Sequence, residues 1–300
     1  MKIVIIGYGS IGRRHASILK ENFKNCKIFL HTKQKVKKFR SFKDFKYIKF
    51  IKPDYVIIAS ETYKHLKQLT YLEENFKGIK ILIEKPLFHQ FNKFKVKNNK
   101  VYVGYNLRFH PLIIKLHKIL KKNNIYDIQF ITNSYLPNWR KNISYKNNYT
   151  ASKSTGGGII LDLSHELDLI HLFFKNIKIN YVSFGKKSNL KIHTEDYLRL
   201  FGKAKETQIA LDLKYYSKNE LRLILIDGSK FSILIDLKKN IFNFTTPKKK
   251  QIIQKNYNPN NTYIDMHKAI ISNKNSKFLC SYNEGVNVLK TIQKIKLTNY

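Results

Sequence analysis

Lys2-Ile-Val-Ile-Ile-Gly7-Tyr8-Gly9-Ser10-Ile11-Gly12, at the start of the chain, decides the fold. An unbroken apolar run makes a buried strand, the glycines make a tight turn, and Arg13 to Lys20 continues as a helix former. In that order, G-x-G-x-x-G opens a dinucleotide-binding βαβ unit. Gly7 permits the sharp turn, Gly9 lets the backbone approach a pyrophosphate, and Gly12 lets helix and strand pack closely. A pyrophosphate placed there meets free N–H groups and the positive end of a helix dipole. Tyr8, Ser10 and Ile11 belong to the same cradle by position.

Outward from this turn, residues 1–103 alternate strand and helix signals at the spacing of a doubly wound parallel sheet. Strands are expected at 2–6, 26–31, 55–59, 80–84 and 101–104, with helices near 11–22, 62–75 and 89–94. Residues 33–49 carry Val36, Phe39, Phe42 and Phe45 at the period of a short helix. Leu112–Lys122 reads as an amphipathic helix with Ile113, Leu116 and Leu120 on one face. After about residue 125 the texture turns to β, at 127–136, 180–187, 196–203, 207–216 and 220–246. Within the last, Asp227-Gly228 is a hairpin turn between two apolar runs. Helices are expected at Ile159–Phe174 and Asn283–Leu297. The fold class is α/β, with an N-terminal Rossmann domain over 1–108. An α+β domain with a mainly antiparallel sheet follows over 109–300.

The 300 residues carry a formal net charge of +37. A polyanion partner is one source of such a balance. Composition supplies another: Arg13, Arg14, Arg40, Arg108, Arg140, Arg199 and Arg222 are the only arginines, and lysine provides the rest. Asn, Ile, Phe and Tyr are abundant beside Lys, as A/T-rich codons would produce. There is no basic tail and no RNA-binding aromatic motif, so no specific nucleic-acid partner is expected. The hydrophobic share of 43% suffices for a sizeable core. Cys26 and Cys280 lie far apart without metal-ligand spacing, which argues against a disulfide framework or a metal site and suits the cytoplasm. No stretch approaches a transmembrane span or a signal peptide, so no membrane association is expected.

Two further stretches carry chemistry. Ile81-Leu-Ile83 runs into Glu84-Lys85-Pro86, and ligands of open α/β sheets bind beyond the carboxyl ends of the strands. A lysine there can donate a proton to an oxygen being reduced, and partial burial would lower its pKa for that role. Gly156-Gly-Gly-Ile-Ile-Leu-Asp162-Leu-Ser-His165-Glu166-Leu-Asp168 suggests a backbone closely approached by something, then a helix. On a continuous helix Asp162, His165 and Glu166 share a face, and a carboxylate beside an imidazole is an acid–base arrangement. Cofactor choice is partly readable. The second strand ends Phe29-Leu30-His31-Thr32-Lys33, with no carboxylate for a ribose hydroxyl, so these three polar residues tilt slightly toward NADP. Asn106, Arg108, Trp139, Arg140 and Tyr149 offer amide, guanidinium and aromatic groups suited to a sugar carrying phosphate or carboxylate.

Together these motifs resemble the Gfo/Idh/MocA oxidoreductase family. The resemblance rests on Gly7-x-Gly9-x-x-Gly12-x-x-His15, Ile58-Ala-Ser60-Glu-Thr-x-x-His65, Glu84-Lys85-Pro86, Gly104-Tyr-Asn106-x-Arg108-Phe and the Gly156–Asp168 segment, in family order over 1–170. It implies a Rossmann domain followed by a domain with a large open sheet, often used for oligomerisation as a homodimer or homotetramer. The implied activity is NAD(P)-dependent oxidation or reduction of a CH–OH group in a sugar or nucleotide-sugar, with surface-polysaccharide biosynthesis an attractive setting. The resemblance places Ser60, His65, Glu84 and Lys85 around the nucleotide. Lys85 looks like the lysine that contacts nicotinamide and the reacting oxygen, with Asp162 its carboxylate partner. The usual histidine falls four residues after that aspartate. Here Glu166 takes that position and His165 precedes it by one, so His165 is the acid–base candidate and Glu166 its understudy and a substrate contact. The alternative is a non-catalytic NAD(P)-binding regulator of the same fold.

Overall fold

The opening apolar run becomes β1 (Lys2–Ile6), whose four isoleucine and valine side chains are fully buried. It leads into α1 (Ser10–Asn22), β2 (Lys27–His31), β3 (Arg40–Phe42), α2 (Ile48–Ile51), β4 (Tyr55–Ile58), α3 (His65–Asn75), β5 (Lys80–Ile83) and β6 (Lys100–Val103). Then come α4 (Pro111–Leu120), β7 (Ile125–Tyr135), α5 (Ile159–Asp162), α6 (Ser164–Phe173), β8 (Lys178–Gly185), β9 (Tyr197–Ala204) and β10 (Thr207–Lys214). The chain continues with β11 (Tyr216–Gly228), β12 (Phe231–Asp236), β13 (Ile241–Thr245) and β14 (Lys250–Gln254). It closes with α7 (Asn260–Ile271), β15 (Cys280–Ser281) and α8 (Tyr282–Leu297). This computed structural model describes residues 1–140, 144–254, 256–272 and 277–298.

Two units result: residues 1–109 with 259–289, and residues 110–258 with 290–300. The first holds a seven-stranded sheet in the order β15-β6-β5-β4-β1-β2-β3. Its strands are parallel except for β15, which runs antiparallel along β6. Central strands such as β4 are apolar on both faces, as a parallel sheet covered by helices requires. The β15 strand and α7 come from the far end of the chain. The stretch 259–289 therefore belongs with the Rossmann sheet, whereas the sequence reading assigned all of 109–300 to the second domain.

The second unit is an eight-stranded sheet, β14-β13-β12-β11-β7-β10-β9-β8, antiparallel except for the β7–β10 pair. Alternation along its strands puts Ile209, Leu211 and Leu213 of β10 on the buried face, together with Leu198 and Leu200 of β9, where α5 packs. The opposite face carries exposed Tyr181, Phe201, Leu234 and Ile252.

Three expected helices differ. Residues 89–94 are irregular: the Asn92 side chain accepts the Phe94 N–H at 2.8 Å, a local bond that competes with helix. In 33–49, Arg40–Phe42 pairs with β2 as an edge strand, and only Phe45–Tyr47 and α2 are helical. The helix read at Ile159–Phe174 breaks at Leu163 (φ −100°, ψ 29°) into α5 and α6, and that break redirects the residues after it.

Candidate active site

The glycine turn divides into positions closed by the protein and one that is open. Gly7 adopts φ +93° and donates its N–H to the His31 carbonyl at 3.0 Å. A Cβ on Gly7 would lie 2.7 Å from the Ala59 oxygen, and one on Gly12 would run into the Gly7 carbonyl. Gly9 has an ordinary φ of −74°, and a Cβ there would have nothing within 4 Å. Gly9 is also the N-cap of the 13-residue α1, and no side chain caps that helix. Orphan N–H donors beside an open space at the positive end of a long helix fit a pyrophosphate. Ser10 is exposed there, with Tyr8 and Ile11 half-exposed. The Tyr8 ring lies 5.6 Å from the Arg13 guanidinium, and its carbonyl accepts from Arg13 Nε at 3.1 Å.

At the end of β2 the expected contacts split. His31 is committed elsewhere: its Nε2 lies 3.2 Å from the Lys43 carbonyl, and its ring packs 5.6 Å from Phe42 and 5.0 Å from Phe45. Burial pushes its pKa down, so the ring is neutral where it packs. Thr32 is buried, and its hydroxyl accepts the Gln34 N–H at 3.2 Å. Lys33 alone of the three stands exposed.

Two other expected nucleotide contacts have internal partners. The Ser60 hydroxyl donates to Gln68 Oε1 at 2.7 Å. His65 is buried, with Nε2 3.1 Å from the Ser60 carbonyl and Nδ1 3.1 Å from the Leu87 carbonyl. It ties the loop after β4 to the loop after β5 instead of facing a ligand, and burial lowers its pKa. Glu84 ends β5 buried, with Oε1 2.9 Å from His15 Nε2. Lys85 follows, half-buried, and its bond to Pro86 is cis.

Asn106 and Arg108, expected at the substrate, have partners inside the first unit. Asn106 is buried and donates to Thr262 Oγ1 at 2.6 Å. Arg108 has no exposed surface and pairs with Glu284 Oε1 at 2.8 Å. Burial would raise the Glu284 pKa, but Arg108 and Ser281 outweigh it and hold the carboxyl below its ordinary value. Both residues tie the end of the Rossmann sheet to the returning segment.

In the second unit Asp162 gathers a cluster. It is buried and accepts the Tyr215 hydroxyl at 2.6 Å and also the Tyr149 hydroxyl. The charge of Asp162, with burial, pushes Tyr149 up; burial, with Asp162, pushes Tyr215 well up, so both stay protonated donors. Trp139 stands edge-on to Tyr215 at 5.1 Å, and the Arg140 guanidinium lies 5.3 Å from the Tyr149 ring centre. The glycine triplet is closely approached, but by the chain itself. A Cβ on Gly157 would strike the Tyr149 carbonyl, and one on Gly158 (φ +114°) would strike the buried Glu195 carboxylate.

Glu166 leaves the group. Beyond the break at Leu163 it is buried, 2.7 Å from Arg222 Nη2, and accepts the Thr132 hydroxyl at 2.8 Å. Its Oε1 is thus drawn into an interior ion pair. His165 sits half-buried in the first turn of α6. Tyr215 was missed by sequence reasoning. It lies 53 residues from Asp162 between two strands, and only the sheet topology brings it there.

Residues 1–98 match the GFO_IDH_MocA model, an oxidoreductase family with an NAD-binding Rossmann fold. The match covers the NAD-binding domain of that family, about a third of the chain. Among solved structures, UDP-N-acetylglucosamine 3-dehydrogenase GnnA from Acidithiobacillus ferrooxidans superposes with a TM-score of 0.77 at 16% identity, over 99% of this chain and 97% of that one. The WlbA dehydrogenase from Bordetella pertussis, in complex with NADH and UDP-GlcNAcA, superposes at 0.79 with 14% identity over 99% and 95%. A super-repressor mutant of Gal80p from Saccharomyces cerevisiae superposes at 0.82 with 13% identity over 100% and 95%. At these identities the likeness is one of fold. No curated protein matches the chain in sequence.

Proposed function

We propose that this protein is an NAD(P)-dependent oxidoreductase acting on a CH–OH or keto carbon of a nucleotide-linked sugar. The observation that carries the reading is the open position at Gly9 beside the uncapped start of α1. There Gly7 to Gly12 would hold the pyrophosphate of the cofactor, which when bound supplies the hydride chemistry. Lys85, at the carboxyl end of β5, would hydrogen-bond the reacting oxygen and move its proton. Asp162, clamped by two tyrosine hydroxyls, is the oriented carboxylate, and His165 is the acid–base candidate. Trp139 and Arg140, with the rings of Tyr149 and Tyr215, suit a sugar bearing an anionic group. That two similar folds belong to enzymes named with UDP-linked sugars supports the substrate class. A slight preference for NADP rests now on exposed Lys33 alone.

The same reading includes a homodimer built on the open face of the second sheet. One row in register crosses all eight strands, from Tyr181 through Phe201, Leu225 and Leu234 to Ile252. Among the described residues no helix is long and apolar enough to cross a membrane. Two free cysteines, Cys26 and Cys280, support a reducing cytoplasm.

Fluorescence titration with NADPH and NADH at moderate and high salt is the test, followed by turnover with UDP-N-acetylglucosamine and its uronate. Saturable binding that survives high salt, with turnover abolished in Lys85→Ala but affinity kept, is expected. Binding with no turnover of any sugar nucleotide would hand the chain to the regulatory reading, which the likeness to Gal80p favours. Binding of neither nucleotide would sink both.

A further inference from the structure

Behind the glycine turn, four side chains of the first unit form an unbroken buried line. Tyr55 Oη lies 3.0 Å from His267 Nδ1, His267 Nε2 lies 2.8 Å from His15 Nδ1, and His15 Nε2 lies 2.9 Å from Glu84 Oε1. Tyr55, His267 and His15 have no exposed surface, and Glu84 has 6%. They arrive from four elements: β4, α7, α1 and the end of β5. Gly104 makes room for the last of them, since a Cβ there would lie 2.6 Å from Glu84 Oε1. Burying four such groups is costly unless every bond is made, and an apolar filling of the same space would stabilise the fold at least as well.

One proton order keeps the buried Tyr55 hydroxyl proton bonded and runs every bond toward Glu84. Burial, with the charge of Glu84, pushes the Tyr55 hydroxyl well above its ordinary range, so it keeps its proton and donates to His267 Nδ1. Burial pushes His267 well down, so that ring is neutral, and with Nδ1 accepting from Tyr55 its single proton lies on Nε2. That proton points to His15 Nδ1, which leaves the His15 Nε2–H to donate to the Glu84 carboxylate. Every bond is directed toward Glu84, the residue before Lys85. His15 also belongs to α1, the helix that begins at the glycine turn.

We propose that Tyr55, His267 and His15 are positioning residues, a one-directional relay that fixes the Glu84 carboxylate and registers the Lys85 loop against the helix that holds the nucleotide. This rests on the reading of Lys85 as the proton-handling group. None of the three needs to touch substrate; they act through Glu84. Removing a link should leave the nucleotide's own contacts intact while loosening the loop beside it, which separates turnover from affinity.

The relay is tested with the intact protein in two ways. Nitrogen-15 NMR of the imidazoles at neutral pH should find the proton of each hydrogen-bonded ring on Nε2 with Nδ1 accepting, and Tyr55→Phe should release the His267 tautomer. With the sugar nucleotide that the wild type turns over, Tyr55→Phe should lower kcat about tenfold with KM for NAD(P)H within about twofold. His267→Leu should cost more. His267→Gln should restore part of it, because its amide can still donate to His15. A proton on Nδ1 of either ring, a doubly protonated ring, or unchanged kcat in both Tyr55→Phe and His267→Leu overturns the relay. If the wild type turns nothing over, the positioning role falls with the oxidoreductase reading, and locked tautomers would place the fault in that reading rather than in the bonds.

Discussion

Two glycines three positions apart make opposite predictions. Gly12 is closed by the Gly7 carbonyl, so Gly12→Ala should destabilise the first unit itself, by about 1–3 kcal/mol as overpacking does, and denaturant melts would measure it. Gly9 has open space and ordinary backbone. Gly9→Ala should leave the midpoint of unfolding unchanged and weaken NAD(P)H binding at least tenfold by fluorescence titration; an unaltered affinity would mean that no ligand fills that space. Spacing alone made both glycines legible, since each motif position has a geometric duty. The burial of Arg108 was not legible, because a buried arginine and a substrate arginine look identical in sequence and its partner lies 176 residues away. Glu284 is 41% exposed at its side chain, so solvent screens the pair, and Glu284→Gln should cost about 1 kcal/mol. The sign with pH follows from the lowered carboxyl. Its contribution is present above the unfolded carboxyl pKa and is lost as pH falls through the folded one, so the gap between wild type and variant should close toward acid.

Among elements, β1, β2, β4, β5 and β6 were legible because buried parallel strands read as largely apolar runs, and the hairpin at Asp227-Gly228 because its turn chemistry is local. What the sequence left dark is non-local. α7 carries Tyr263, Met266, His267 and Ile270 at helical spacing, but two of the four are polar or aromatic, so the stripe reads weakly beside the aliphatic ones. That the helix returns to α1 depends on tertiary partners that no local pattern encodes. Likewise, nothing in Asp162-Leu-Ser-His-Glu166 announces that Tyr215 and Arg222 will draw its two carboxylates to different partners. The returning segment has a measurable consequence. A fragment ending at Phe109 would keep His15, Tyr55 and Arg108 while losing His267 and Glu284, exposing the apolar edge that β15 covers. It should show no cooperative melt by circular dichroism, whereas a cooperative melt would make the 259–289 segment an accessory rather than a part of that unit.

For the molecule as a whole, the +37 charge and the open sheet act against each other. Two copies meeting across the Tyr181–Ile252 row bring two strongly basic surfaces together, and their repulsion is long-ranged only at low ionic strength, with a screening length of about 30 Å at 0.01 M against about 8 Å at 0.15 M. Apolar burial is not screened, so the proposed dimer should strengthen as salt rises from low to moderate, while an anionic nucleotide should bind somewhat less tightly over the same range. A polyanion-bridged aggregate would respond the other way and dissociate with added salt. Phe201, 53% exposed in the middle of an edge-proximal strand, is the residue to change. Phe201→Lys adds a like charge to the row without touching the buried face of β9, so the monomer should keep its melting temperature and its NAD(P)H affinity. Sedimentation equilibrium at moderate salt should then find a dimer for the wild type and a monomer for the variant; a monomeric wild type, or a variant dimer of equal strength, would remove this face from the assembly.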